Sequence, residues 1–89
     1  MIKNPNIELV QIADDFIAVP VGDFALTFKN IVALSGPAAF LLKKLEQPRT
    51  KDELIELLIS EYEVEQDVAT ADVDKFIEEL STIDIIKQQ

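Results

Sequence analysis

Apolar and polar side chains alternate with a period of two over the first third of the chain, and this period predicts β-strands. Residues 7–12 alternate in a run rich in β-branched side chains, and residues 16–19 form a short apolar run that meets Pro20. Asp14 and Asp15 lie between the two runs, and aspartate favours turns through local hydrogen bonds. We therefore expect a β-hairpin that closes across these two aspartates.

A hairpin alone is marginally stable, so a third strand is expected to complete a small sheet. The apolar run at residues 31–34 supplies this strand. Lys29 and Asn30 come directly before it, and we expect them to form the turn that leads into it.

Two helices are predicted after the strands. Ser35 can cap the free backbone N–H groups of a first helix, which is expected over residues 38–45. Thr50 and Glu53 have the spacing of a capping box, in which each side chain accepts a hydrogen bond from the other residue's backbone. This capping box predicts the start of a second helix, which should end around Tyr62.

The strongest periodicity lies in the C-terminal third, where apolar side chains recur at spacings of three and four over four turns. We expect a third helix that begins between Gln66 and Thr70. Its apolar stripe comprises Ala69, Val73, Phe76, Ile77, Leu80 and Ile83. The β-branched pair Ile85 and Ile86 follows, and it can either add an edge strand or pack as a tail.

Strands followed by helices, in the order β-β-β-α-α-α, predict an α+β fold of the winged-helix-turn-helix type. In such a fold a three-stranded antiparallel sheet packs one face against three helices. A chain of 89 residues is long enough for one hydrophobic core and too short for two, so we expect a single domain over residues 1–89.

Catalytic chemistry has few candidates in this composition. The chain has no cysteine and no histidine, which excludes disulfides, thiol nucleophiles and zinc sites of the usual Cys/His type. Serine hydroxyls have no histidine to activate them. Asp14 and Asp15 could hold a cation, but their place at a hairpin tip favours a turn role. We expect a binding protein without a catalytic site, a metal or a cofactor.

Charge is distributed unevenly along the chain. The net charge is −9, and residues 51–89, with three Lys/Arg against twelve Asp/Glu, account for all of it. Nucleic acids bind to clustered lysine and arginine, so a nucleic-acid partner is not expected. The longest uncharged stretch, residues 30–42, is shorter than the roughly 20 apolar residues of a membrane span, and no secretory signal is indicated. We expect a cytoplasmic protein.

Four segments follow in an order typical of one family. They are Phe16-Ile17-Ala18-Val19, then Ile31-Val32-Ala33-Leu34-Ser35-Gly36-Pro37-Ala38-Ala39-Phe40, then Thr50-Lys51-Asp52-Glu53-Leu54, then Asp72-Val73-Asp74-Lys75-Phe76-Ile77. In this order the chain resembles the PqqD family over about residues 7–86. The resemblance depends on hydrophobic pattern and spacing, with a Leu34-Ser35 junction before the first helix. Two departures are Phe40, where many relatives look to have a tryptophan, and the Gly36-Pro37 helix start.

The PqqD family comprises the RiPP recognition elements, which bind the leader of a ribosomally made precursor peptide and present its core to modifying enzymes. The resemblance implies that the leader lies antiparallel along the third strand, in a cleft between this strand and the third helix. The implied peptide-binding residues are Ile31, Val32, Ala33 and Leu34 on the strand and Asp72, Val73, Lys75, Phe76, Ile77, Glu79 and Leu80 on the helix.

Side chains alternate between the two faces of a strand, so the strand can contribute only part of its residues to one face. We expect Val32 and Leu34 to face the core and Ile31 and Ala33 to face the groove, or the reverse if the register slips by one residue. On the third helix Ile77 is the preferred groove residue.

The sequence therefore predicts a stand-alone leader-binding protein that hands a precursor to a partner enzyme, such as a radical-SAM maturase or a leader peptidase. An alternative is a structural adaptor or homodimer whose third-strand edge pairs with another protein or with itself. A DNA-binding regulator is disfavoured, because the last helix carries mostly acidic side chains that phosphate would repel.

Overall fold

The computed structural model describes residues 1–26 and 31–88, so the turn expected at Lys29 and Asn30 lies outside the described residues. The strands are β1 (Ile2–Lys3), β2 (Ile7–Ile12), β3 (Asp15–Pro20), β4 (Val32–Leu34) and β5 (Ile86–Lys87). The helices are α1 (Gly36–Lys44), α2 (Lys51–Tyr62) and α3 (Gln66–Thr82), and a short 3-10 helix spans Gly22–Leu26. The predicted α+β class is confirmed, with a three-stranded antiparallel sheet, two further strands and three α-helices.

The main sheet has the strand order β2-β3-β4, and both pairings are antiparallel. Its hairpin turn lies one residue earlier than expected, because Asp15 already belongs to β3 and pairs with Ile12. The two central turn residues are Ala13 and Asp14, and Ala13 has a φ of +55°. A positive φ at the first central position suits the right-handed twist of the two flanking strands.

The helix starts follow the expected caps. Ser35 Oγ accepts a hydrogen bond from the Ala38 backbone N–H at 3.2 Å, and α1 begins at Gly36, two residues before the expected start. The capping box of α2 is complete, since Thr50 Oγ1 accepts from the Glu53 N–H and Glu53 Oε1 accepts from the Thr50 N–H. Each of these bonds satisfies a backbone donor that a helix end would otherwise leave free.

A second small sheet was not predicted in full. An edge strand was one of the two expectations for Ile85 and Ile86, and Ile86 does begin the strand β5. Its partner strand β1 shows no periodic pattern in the sequence and was not predicted. The buried side chain of Asn4 fixes this region, because its Nδ2 donates to the Asp84 carbonyl and its Oδ1 accepts from the Asn6 N–H, both at 2.9 Å.

The core lies between one face of the main sheet and the three helices. Ile7 and Ala18 contribute to it from the sheet, and both are fully buried. The helices and the C-terminal tail contribute buried apolar residues, among them Leu41, Leu42, Leu45, Leu54, Leu58, Ala69, Val73, Phe76, Leu80, Ile85 and Ile86. One face of the sheet is thus covered by helices, and β4 lies at its edge beside α3.

Candidate functional site

An open strand edge is the first element of the site. β4 pairs with β3 along one side, and within residues 1–26 and 31–88 no strand pairs with its other side. An edge strand presents unpaired backbone N–H and C=O groups that another extended chain can bind. The edge is short, since three residues span roughly 10 Å at ~3.3 Å per residue.

A cleft of about 490 Å³ lies between β4 and α3. Pro37, Ala38 and Leu41 of α1 line it, as does Leu58 of α2. The full lining comprises Val32, Ala33, Leu34, Ser35, Pro37, Ala38, Leu41, Leu58, Asp72, Lys75, Phe76, Glu79, Leu80 and Ile83. Most of these side chains are apolar, so the cleft suits apolar side chains of a ligand.

Three of the expected site residues lie outside this lining. Val73 is fully buried in the core, and Ile31 is 68% exposed just before β4. Ile77, the preferred groove residue, is half-buried and packs against the core. The remaining expected residues all line the cleft: Val32, Ala33, Leu34, Asp72, Lys75, Phe76, Glu79 and Leu80.

Helix geometry explains why α3 divides its apolar stripe in this way. The residues of α3 that line the cleft recur at spacings of three and four along the helix, from Asp72 to Ile83, which directly follows the helix. These residues therefore lie on one side of it. Ile77 follows Phe76, and successive helix residues are rotated by about 100° around the axis. Lys75 and Phe76 both fall within the arc of the helix that lines the cleft, and the next step takes Ile77 beyond this arc.

On the strand, Val32 and Leu34 both pack against the core and line the cleft. Ala33 is exposed and also contributes to the lining. The strand thus offers the cleft its two core-facing side chains, whereas Ala33 borders the cleft with its side chain on the opposite face of the strand.

Several lining residues were not among the expected ones. Ser35 caps α1, and Pro37, Ala38 and Leu41 belong to that helix. Leu58 comes from α2, and Ile83 follows α3. Ile83 belongs to the apolar stripe of the third helix, so its signal was present in the sequence. The others give no local signal, because only the packing of α1 and α2 under the cleft brings them to it.

The rim of the cleft on α3 carries charge. Lys75 Nζ lies 4.0 Å from Glu79 Oε1, and both side chains are mostly exposed. Asp72 forms no salt bridge with the described residues, whereas its neighbour Asp74 pairs with Lys51 outside the cleft lining. An exposed ion pair contributes only about 0–1 kcal/mol, so these groups can orient a ligand more than they can hold it.

The described part of the chain contains no group of three or more Asp or Glu side chains placed to hold a metal ion. None of the described helices combines the length and the apolar character that a membrane crossing requires.

Comparisons with known proteins agree on one family and one fold. The family model described as Coenzyme PQQ synthesis protein D (PqqD) matches residues 16–86. A structure of TbiB1 in complex with the TbiA(beta) leader peptide superposes with a TM-score of 0.78 at 15% identity, over 100% of this chain and 98% of that one. A lasso peptide synthetase B1 complexed with the leader peptide superposes with a TM-score of 0.73 at 20% identity, over 97% and 95%. No curated protein sequence matches the chain.

Proposed function

This chain belongs to the PqqD family, and we propose that it binds the leader of a ribosomally made precursor peptide and presents the precursor to a modifying enzyme or a leader peptidase. The observation that carries this proposal is the open edge of β4 directly beside an apolar cleft. Two proteins with the same fold are each complexed with a leader peptide, which supports the same class of ligand here. The proposed role is binding and presentation, without chemistry of its own.

The backbone of β4 is the proposed source of affinity. A leader in extended conformation adds a strand to the sheet and pairs antiparallel with Val32–Leu34, so that its N–H and C=O groups bind those of the open edge. Main-chain pairing makes little demand on the peptide's sequence. Selectivity must therefore come from side chains.

The cleft is the proposed source of selectivity. Alternate side chains of the added strand point to the same face, roughly 6.6–6.8 Å apart, and one set of them would enter the cleft towards Ala38, Phe76 and Ile83. Each apolar side chain that becomes fully buried there contributes about 1.5–3 kcal/mol. We therefore expect a leader with apolar residues at alternate positions.

Charge on the rim of α3 should favour basic leader residues near the cleft. Asp72 and Glu79 flank it, and Lys75 supplies the only cation among its lining residues in the described chain. Because these side chains are exposed, their effect is expected on orientation and on association rate at low salt. We further propose that this binding takes place in the cytoplasm, where precursor peptides are made.

Isothermal titration of a synthetic leader peptide tests the proposal. The peptide is the leader of the precursor encoded beside this chain's gene, and we expect binding in the micromolar range or tighter. Absence of binding at about 100 µM, a free energy weaker than roughly −5.5 kcal/mol, would contradict it. A scrambled peptide of the same composition is the control.

A second copy of the chain could pair with the same β4 edge, which is the adaptor or homodimer alternative. Sedimentation of the protein alone and with the leader separates the two, since a dimer sealed at β4 should dissociate as the leader binds. A dimer that persists at saturating leader and prevents leader binding would favour the alternative.

A further inference from the structure

The face of the main sheet turned away from the helices has an unusual composition. Ile7 and Leu9 pack against the core from β2, and Ala18 does so from β3. Side chains alternate along a strand, so the intervening residues lie on the opposite face. This outer face comprises Glu8, Val10, Ile12, Asp15, Ile17, Val19 and Ala33.

The strand register places apolar residues side by side on this outer face. Val10 lies opposite Ile17, and Ile17 lies opposite Ala33, so one apolar row crosses all three strands. Ile12 is 59% exposed, and Val19 is partly exposed at the other end of the hairpin. An antiparallel sheet with one solvated face usually carries polar residues there, and a contiguous exposed apolar surface marks an interaction site.

Acidic residues flank the apolar row. Glu8 lies opposite Val19, and Asp15 lies opposite Ile12, so each end of the outer face carries a carboxylate. Residues 7–20 and 31–34 contain no lysine or arginine. Two copies packed through this face would bring like charges together, whereas a partner with basic residues around an apolar centre would complement it.

The outer face is continuous with the proposed peptide site. A peptide strand paired with β4 extends the sheet beyond Ala33, and the side chains of that strand that do not enter the cleft join the outer face. A protein docked there would contact the chain and the peptide together. A peptide-modifying enzyme must reach the peptide that the chain holds, and docking on the outer face would place it beside that peptide.

We propose that the outer face of the β2-β3-β4 sheet docks the enzyme that acts on the bound peptide, through an enzyme surface with an apolar centre and a Lys/Arg rim. The identity of this partner rests on the proposed function. The existence of a docking face rests only on the apolar row and its acidic flanks.

The test uses the purified modifying enzyme that is encoded beside this chain's gene. Biolayer interferometry measures its affinity for the chain, with and without the leader peptide. Ile12→Lys places a cation on the outer face, and Ile17→Thr removes apolar surface while keeping a β-branched side chain. We expect Ile17→Thr, at the centre of the apolar row, to weaken enzyme binding by about tenfold, and Ile12→Lys to weaken it by a similar factor because its cation would face the basic rim of the enzyme. Leader affinity should be unchanged in both variants. Val68→Lys is the matched control, since Val68 is a 46% exposed apolar residue on α3, and it should leave both affinities unchanged.

The charge of the partner is tested by Glu8→Lys, which should weaken enzyme binding and reduce its salt dependence. Stronger binding of this variant, unchanged binding of Ile12→Lys, or no enzyme binding by the unmodified chain would each overturn the proposal. A stable dimer of the unmodified chain that Ile17→Thr dissociates would overturn it in favour of a second copy. Loss of leader binding alone, with enzyme docking intact, would count against the proposed function and not against the docking face.

Discussion

Ile83 offers a sensitive test of the cleft, because it lines the cleft at the C-terminal end of α3 and is itself only half-buried. Ile83→Ala removes three carbons from the lining. Complete burial of an isoleucine contributes about 1.5–3 kcal/mol, and only part of this side chain remains for a ligand to cover. We therefore expect a loss of about 1 kcal/mol in binding, or roughly a fivefold increase in the Kd of the leader by titration calorimetry.

Ile77→Ala is the matched control for this experiment. Ile77 and Ile83 are both half-buried, and both pack against the core, but Ile77 does not line the cleft. Each truncation should lower the free energy of unfolding by about 1–2 kcal/mol, less than for a fully buried isoleucine. Urea denaturation measures this cost, and it should be similar for the two variants.

The reasoning is refuted if Ile77→Ala weakens leader binding as much as Ile83→Ala does. Equal losses would mean either that the peptide contacts the face of α3 that carries Ile77, or that binding reports general stability. A loss confined to Ile77→Ala would place the leader on a different surface of α3.

Three further predictions concern the rim and the stability of the fold. Asp72→Lys should weaken binding of a basic leader by no more than about 1 kcal/mol and flatten its salt dependence, whereas an unchanged salt slope would remove Asp72 from the rim. Asn4→Ala should cost about 1–3 kcal/mol in unfolding free energy, because it removes two hydrogen bonds that a buried side chain makes to the Asp84 carbonyl and the Asn6 N–H; a loss below about 0.5 kcal/mol would contradict this. The hydrogen bond from the Thr50 backbone N–H lowers the pKa of Glu53 below 4.5, so its stabilisation is present above that pH and is lost as the pH falls through the folded-state pKa. Glu53→Gln should reduce this acid dependence in a pH series of thermal melts.

Local chemistry accounts for the elements that the sequence predicted well. The capping box at Thr50 and Glu53 satisfies backbone donors within four residues, and the alternation in residues 7–12 is visible without any partner strand. By contrast, β1 has two residues, and its strand conformation depends on pairing with β5 at the far end of the chain. No local pattern could reveal that pairing.

The candidate site shows the same limit. Ile77 and Ile83 both belong to one apolar stripe with helical spacing, and the stripe alone cannot decide which of them faces β4. That choice depends on the rotation of α3 against the sheet, which the packing of all three helices sets. Ala38 is a lining residue of the same kind, since a small side chain at the start of α1 acquires its place only when α1 packs under the cleft.

The central claim is that the leader lies as an added strand on the open edge of β4. Nuclear Overhauser effects between the isotope-labelled chain and an unlabelled leader peptide test it most directly. We expect contacts between the peptide backbone and Val32–Leu34 in an antiparallel register, together with side-chain contacts to Ala38 and Ile83. Peptide contacts to the outer face around Val10 and Ile17, with none to β4, would contradict the account.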